Sequence, residues 1–277
     1  MSETKTVVTT HLVGQFLANT QVSAGLVRMD LALSQPFLFV PGQFAMVNLM
    51  GDTPFVFSRP LSILAASAEH VSFLYRVVGR GTAALATLRA GQELTILGPL
   101  GNPFPTPETM ADSAAVLIAG GVGLPPLHNW LARGGRPDDV GFFGGRDGND
   151  IPWAMLDEKW QISVDEAVDI PDGRQVWQGR VTDFAAQHPL LQDDRPRVVL
   201  SCGPLPMLRA AAALAAARGW ACHVSLEEHM GCGYGACKGC VVPVKIPEST
   251  NIRNATCCDE GPVFPAEVIQ WDSYGKG

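Results

Sequence analysis

Between Leu226 and Val241 the chain reads LEEHMGCGYGACKGCV, and no other stretch restricts its possible structures as strongly. Cys232, Cys237 and Cys240 follow one another as C-x4-C-x2-C, and a fourth candidate, Cys258 or its neighbour Cys257, stands downstream. A loop that gathers three thiolates, completed by a distant cysteine, is the plant-type spacing for a [2Fe–2S] cluster. Gly231, Gly233, Gly235 and Gly239 interleave the ligands, and the expectation is that tight turns with positive φ point backbone N–H groups at the sulfurs. Structural zinc sites use two C-x2-4-C knuckles, whereas here the first gap is four and the last cysteines are adjacent. A disulfide framework needs an oxidising compartment and usually a small chain. Five of the seven cysteines lie beyond residue 231, a clustering that ordinary buried cysteines do not show.

The 225 residues upstream must fold around that loop. With 277 residues in all, the chain has room for two domains and a tail. A net charge of −7 argues against a nucleic-acid partner, since phosphate binding needs a basic face. No run of 18 apolar residues suits a membrane-spanning helix, and the Ala-rich Leu208–Ala217 segment is short and contains Arg209. The first residues, MSETKTVVTTHLVGQF, show no charged-then-apolar leader pattern. A cytoplasmic protein with reduced thiols and no membrane contact is expected.

Residues 5 to 97 read as short strands broken by Gly, Pro and Asp: KTVVTTHLVGQFL, GLVRMDLAL, FAMVNLM, PLSILAAS, HVSFLYRVVG and QELTILG. Such runs predict an antiparallel barrel. Within it, Arg59-Pro60-Leu61-Ser62 offers a cation and a hydroxyl beside a proline that holds the preceding residue extended. Further on, Leu74-Tyr75-Arg76 leads through VVGR to Gly81-Thr82, which is predicted to open a helix whose free N–H groups suit a phosphate. Thr82 would equally serve as a simple N-cap. GPLGNPF then closes the barrel with a rigid turn.

PTPETMADS is the expected linker to a second domain. The apolar run Ala114–Ala119 enters Gly120-Gly121-Val122-Gly123 and a helix, the start of a parallel α/β sheet. This is not G-x-G-x-x-G, yet glycines at a strand's carboxyl end allow a nicotinamide dinucleotide to approach. Strands are predicted over Asp139–Phe143 and Arg197–Leu200, the latter ending in Cys202-Gly203-Pro204-Leu205-Pro206-Met207 at a strand-to-helix junction. Leu205–Arg218 is expected to be a helix, Asp147–Asp193 acidic and irregular, and Ala221–Ser225 a last short strand. His128, His188 and His223 lack metal-ligand spacing, and Trp153 and Trp160 read as core. Arg146 suits the 2′-phosphate of NADP, but Asp147 beside it would repel that group, which favours NAD.

RPLS, YRVVGRGT, GGVG and CGPLPM, in this order, resemble the ferredoxin–NADP reductase superfamily. With GPLGNPF, the cysteine loop and GPVF, essentially the whole chain resembles the electron-transfer subunits of NAD-dependent, class 1B dihydroorotate dehydrogenases. The resemblance implies an N-terminal flavin-binding antiparallel β-barrel (1–106), a parallel α/β nicotinamide-binding domain (107–221) and a C-terminal [2Fe–2S] module (222–277). It implies FAD on Arg59, Pro60, Leu61, Ser62, Leu74, Tyr75, Arg76, Gly81 and Thr82. NAD is implied at Gly120, Gly121, Val122, Gly123, Cys202, Gly203, Pro204 and Met207, with Cys202 near the nicotinamide, and the cluster on Cys232, Cys237, Cys240 and Cys258. Leu61 departs from the superfamily, where an aromatic residue is usual, and the stretch after Arg146 is less regular than in the family. The implied role is a relay. Dihydroorotate is oxidised at FMN in a separate catalytic subunit of a heterotetramer, and electrons pass through [2Fe–2S] and FAD to NAD+ in pyrimidine biosynthesis. A flavin reductase serving another partner, such as a hydrogenase, a glutamate synthase-like enzyme or an oxygenase, is the alternative. No acid–base pair suggests that this chain itself dehydrogenates dihydroorotate.

Overall fold

The computed structural model describes residues 8–51, 58–249 and 251–275; the opening residues of the first expected strand, 5–7, lie outside these. Six strands, β1 (Thr10–Ser23), β2 (Leu26–Leu33), β3 (Phe44–Leu49), β4 (Arg59–Ala66), β5 (His70–Tyr75) and β6 (Glu93–Leu100), close an antiparallel barrel in the order β1-β2-β5-β4-β3-β6. Alternation drives the closure. Met29, Leu31 and Leu33 of β2 point inward with Ile63, Phe73 and Ile96, while Arg28 and Asp30 between them pair outside at 2.9 Å. The helix α1 (Arg80–Ala86) seals one end through the buried Leu85.

The second unit is a parallel sheet extended by one antiparallel edge. It comprises β7 (Ala114–Gly120), α2 (Leu124–Gly134), β8 (Val140–Gly145), β9 (Trp160–Val164), β10 (Trp177–Gln178), α3 (Val181–Gln187), β11 (Arg197–Cys202), α4 (Leu205–Ala217) and β12 (Ala221–Ser225). Every residue of β7 is buried. Its period of two sends Val116 and Ile118 towards α3 and α4, and Ala115, Leu117 and Ala119 towards α2. Burying a side chain such as Leu117 is worth roughly 2 kcal/mol relative to exposure.

The segment between Asp147 and Asp193, expected to be irregular, carries β9, β10 and α3. Tertiary packing makes these short elements. The ring of Trp160 lies against Gly141 of β8, and Trp177 stacks on Phe184 of α3 at 5.3 Å. Trp160 is core, as expected, and Trp153 is half-buried with its indole donating to the Gly148 carbonyl at 2.9 Å.

Nor is Ala221–Ser225 the last strand. A hairpin follows, β13 (Val241–Lys245) with β14 (Ile252–Thr256), then the short helix α5 (Cys257–Glu260) and β15 (Val263–Pro265). β15 pairs antiparallel with β12, giving the sheet order β10-β9-β8-β7-β11-β12-β15. Pro243 and the three-residue length of β15 hid these strands from the pattern. Val242, Val244, Ala255 and Phe264 share one core with Ile118 of β7, Leu208 of α4 and Phe44, Met46 and Leu100 of the barrel. The Arg209 guanidinium adds bonds from α4 to the carbonyls of Trp271 and Tyr274 at 2.6 and 2.5 Å. The tail is therefore held against both other units.

Candidate functional site

In the cysteine loop the four sulfurs stand as two pairs. The Cys237 N–H donates to Cys232 Sγ at 3.4 Å, and the Cys258 N–H donates to Cys240 Sγ at 3.4 Å. The Gly235 N–H joins the pairs, donating to Cys258 Sγ at 3.1 Å. Among the described residues no three such side chains converge on a point suited to a single ion. Two pairs are the division that two irons sharing four thiolates require, so the donor set fits a [2Fe–2S] cluster. Burial opposes ionisation of Cys232, but backbone N–H groups of Cys237, Tyr234 and Ala236 outweigh it and bring the thiol down to about 6. Burial pushes Cys258 up to about 12, with the Gly235 N–H opposing. Cys257 points elsewhere: its thiol faces the Leu226 carbonyl at 3.5 Å and is raised by burial. Of the four loop glycines only Gly233 and Gly235 take positive φ, at 83° and 82°; Lys238 supplies the third such turn at 55°. That corrects the expectation for Gly231 and Gly239. A lysine in this conformation is invisible to a search for glycine.

The loop rests on the barrel. A Cβ on Gly233 would press into Met46 of β3 and lie 3.4 Å from Leu100 of β6. Met46 is in register with Pro60 on β4, so a single strand, β3, separates the cysteine loop from Arg59-Pro60-Leu61-Ser62. Neighbouring strands are about 4.8 Å apart.

At the barrel site the fold joins two motifs distant in sequence. The guanidinium of Arg59 lies where a Cβ of Gly81 would be, so the absent side chain makes a cradle for the cation at the start of α1. Gly79 is the N-cap, and the helix begins at Arg80, one residue earlier than expected. The Thr82 hydroxyl is engaged locally, accepting from the Val78 and Gly79 N–H groups at 2.9 and 3.2 Å. Pro60 and Ser62 are half-buried, whereas Leu61 and Tyr75 turn into the barrel core and Leu74 faces the second domain. Burial pushes the Tyr75 phenol up to about 12, with Asn19 opposing. What Leu61 and Tyr75 present outside the barrel is main chain.

At the carboxyl edge of the sheet the two remaining motifs interlock. A Cβ on Gly123 would overlap the Cys202 carbonyl, and one on Gly120 would meet Met207 Sδ at 2.9 Å. Gly203 passes under Met207 with φ of 152°. Val122 is half-buried against α2's side of the sheet. Cys202 is buried, and desolvation raises its thiol to about 12, with Ser225 opposing, so it is a neutral packing residue. Beside this edge opens a cavity of about 370 Å3, lined by Gly120, Gly121, Pro204 and Met207 from the expected set. Gly144 and Gly145 at the end of β8 line it too, as do Ser163, Arg180 and Thr182, which were not expected because α3 and β9 gave no sequence signal. Ser163, 1 % exposed, has a hydroxyl without a hydrogen-bond partner among the described residues, a group that a polar ligand would satisfy. Arg76, expected at the flavin, also lines this cavity: its guanidinium packs under Gly25 and approaches Gly121.

A closed barrel set against the glycine-rich edge of a parallel sheet, with an iron–sulfur loop behind the barrel, defines a reductase of the ferredoxin–NADP reductase fold. The structure is similar to that of an NADH-dependent reduced ferredoxin–NADP oxidoreductase, with TM-score 0.74 and 22% identity over 94% of this chain and 90% of that one. Residues 227–270 match the iron–sulfur cluster binding domain of dihydroorotate dehydrogenase B. Over 236 residues the chain is 36% identical to the dihydroorotate dehydrogenase B (NAD+) electron transfer subunit of Bacillus cereus (strain G9842), covering 83% of this chain and 86% of the relative. The same figures hold for the subunit of Bacillus anthracis (strain A0248). The chain belongs to the family of dihydroorotate dehydrogenase B electron transfer subunits.

Proposed function

We propose that this chain carries electrons from dihydroorotate oxidation, performed at the FMN of a separate catalytic subunit, through a [2Fe–2S] cluster and FAD to NAD+ in pyrimidine biosynthesis. Family membership carries the reading, and the placement of the three sites supports it. When bound, the flavin exchanges hydride with nicotinamide and single electrons with the cluster. The chain's own residues hold these groups in sequence. Cys232 and Cys237 form one ligand pair and Cys240 with Cys258 the other; Cys237 is exposed and Cys240 and Cys258 are buried. The exposed side of the loop faces a partner, and the buried side backs onto β3. Arg59 and the start of α1 with Gly81 and Thr82 hold the flavin diphosphate, and the segments Pro60–Ser62 and Leu74–Arg76 position the rest of the flavin. Gly120, Gly121, Val122, Gly123, Cys202, Gly203, Pro204 and Met207 shape the floor for nicotinamide, and Arg76 adds a cation to that cavity.

The assembly proposed is a heterotetramer of two such chains and two FMN-containing subunits. Units 1–106, 107–221 and 222–277 carry FAD, NAD and the cluster, with the pairing of β11 and β12 joining the last two. All seven cysteines are free, which suits the cytoplasm. No described helix is long and apolar enough to cross a membrane.

Anaerobic purification from the native host with whatever accompanies the chain, followed by visible spectra, tests the reading. Dihydroorotate is expected to bleach both flavin and cluster, and NAD+ to restore them. Bleaching by NADH alone would sink the pyrimidine assignment and leave a reductase for another partner.

A further inference from the structure

The cavity at the sheet edge holds a charge arrangement that bears on which dinucleotide it accepts, given the reading above that it takes a nicotinamide dinucleotide. Arg146 follows β8, the strand beside the glycine-bearing β7. In dinucleotide folds an acid or an arginine in this region, some twenty residues after the glycines, meets the ribose 2′ position and sets the choice between a hydroxyl and a phosphate. The Arg146 side chain is 74% exposed at the cavity wall, where a guanidinium fork is well suited to a phosphate. One edge of that fork, Nε with Nη2, is already taken. Arg146 Nε donates to Asp150 Oδ2 at 2.7 Å and Nη2 donates to Asp150 Oδ1 at 3.2 Å, while the Arg146 backbone N–H reaches the same Oδ2 at 3.3 Å.

The Asp150 carboxylate is itself buried, with its side chain 8% exposed, and it lines the cavity with a second carboxylate, Asp165. Arg76 adds its field from the barrel side. Asp147, the residue expected to repel a phosphate, does something else: its carboxylate caps the Asn149 and Asp150 N–H groups at 2.9 and 3.3 Å. That capping turns the chain so that Asp150 faces back to Arg146.

We infer that Asp150 is a specificity-determining residue for NAD+ over NADP+, because it occupies the Nε–Nη2 edge of Arg146 that a 2′-phosphate would otherwise engage bidentately. A phosphate brings up to two further negative charges. It would meet two carboxylates and an arginine whose Nε–Nη2 edge is committed to Asp150. A ribose hydroxyl brings no charge and tolerates the same wall.

The test is calorimetric titration of the flavin-loaded complex with NAD+ and with NADP+, alongside dye reduction by NADH and NADPH. Asp150→Asn is expected to tighten NADP+ about tenfold relative to NAD+, the scale of one well-placed phosphate–guanidinium contact at a partly exposed site. Adding Arg146→Ala to that variant should remove the gain. Asp150→Ser, which drops the charge and keeps an acceptor for the Arg146 N–H, serves should the amide disturb the turn. Equal changes for both dinucleotides, or a gain that survives Arg146→Ala, would overturn the inference while leaving the cavity a dinucleotide site. Failure of the unaltered complex to bind either dinucleotide would overturn the reading of the cavity and the inference together.

Discussion

The cysteine loop and the sheet edge both depend on glycine, for opposite reasons. Gly123 has an ordinary φ of −77°, which any residue adopts, but its missing side chain leaves room for the Cys202 carbonyl. Gly235 has φ of 82°, and its N–H is aimed at Cys258 Sγ; the nearest obstacle to a Cβ there is the flexible Asp259 side chain at 2.7 Å. Size matters at the first position and conformation at the second. The sheet edge is a packed joint between two strand ends, and the loop is an array of backbone dipoles around sulfur. One is made by exclusion of volume, the other by direction.

The sharpest way to break this contrast is at the ligands. Cys258→Ser is expected to reduce iron and acid-labile sulfide to near zero, and Cys257→Ser to leave both at wild-type levels, since the Cys257 thiol faces Leu226. The reverse result would show that α5 rotates on cluster binding. Next in size, Gly123→Ala should destabilise the fold by about 3 kcal/mol through overpacking and weaken NADH binding, with the cluster spectrum kept. Gly235→Ala should cost about 1 kcal/mol in positive-φ strain and chiefly shorten the life of the cluster. Thermal unfolding and cluster absorbance measured on both variants decide it; a larger stability loss at Gly235 would erase the distinction.

The smallest effect is in pH dependence, and it belongs to the packed side. Burial holds His128 below its ordinary 6.5, against a Met155 carbonyl bond and the charge of Asp157. The unfolded chain then binds the extra proton first, so this contribution to stability is complete above about pH 6.5 and is lost as pH falls below it. His223 and His188 shift the same way through burial. His128→Gln should flatten the fall in melting temperature between pH 7 and 5, and an unchanged slope would count against His128 as a contributor.

The barrel, the helices after the glycine and CGPLPM motifs, and the cysteine loop were all legible, because each rests on a local pattern: alternation, a glycine turn, a ligand spacing. β9, β10 and α3 were not, since five, two and seven residues carry too little periodicity and their order comes from Trp160 on Gly141 and Trp177 on Phe184. For the same reason Ser163, Arg180 and Thr182 escaped notice, as did the reach of Arg76 into the dinucleotide cavity.

The amino-acid sequence by itself determined the spacing of the cysteines, the motif order and the family, because spacing and residue type are properties of the chain. It left Cys257 and Cys258 undistinguished, and it placed the opposing charge on Asp147. Only the tertiary structure turned Cys258 to the loop, Cys257 to Leu226, and Asp150 rather than Asp147 to Arg146. Adjacent residues differ in sequence by one position, but they differ in direction by the rotation of the backbone, and packing sets that rotation.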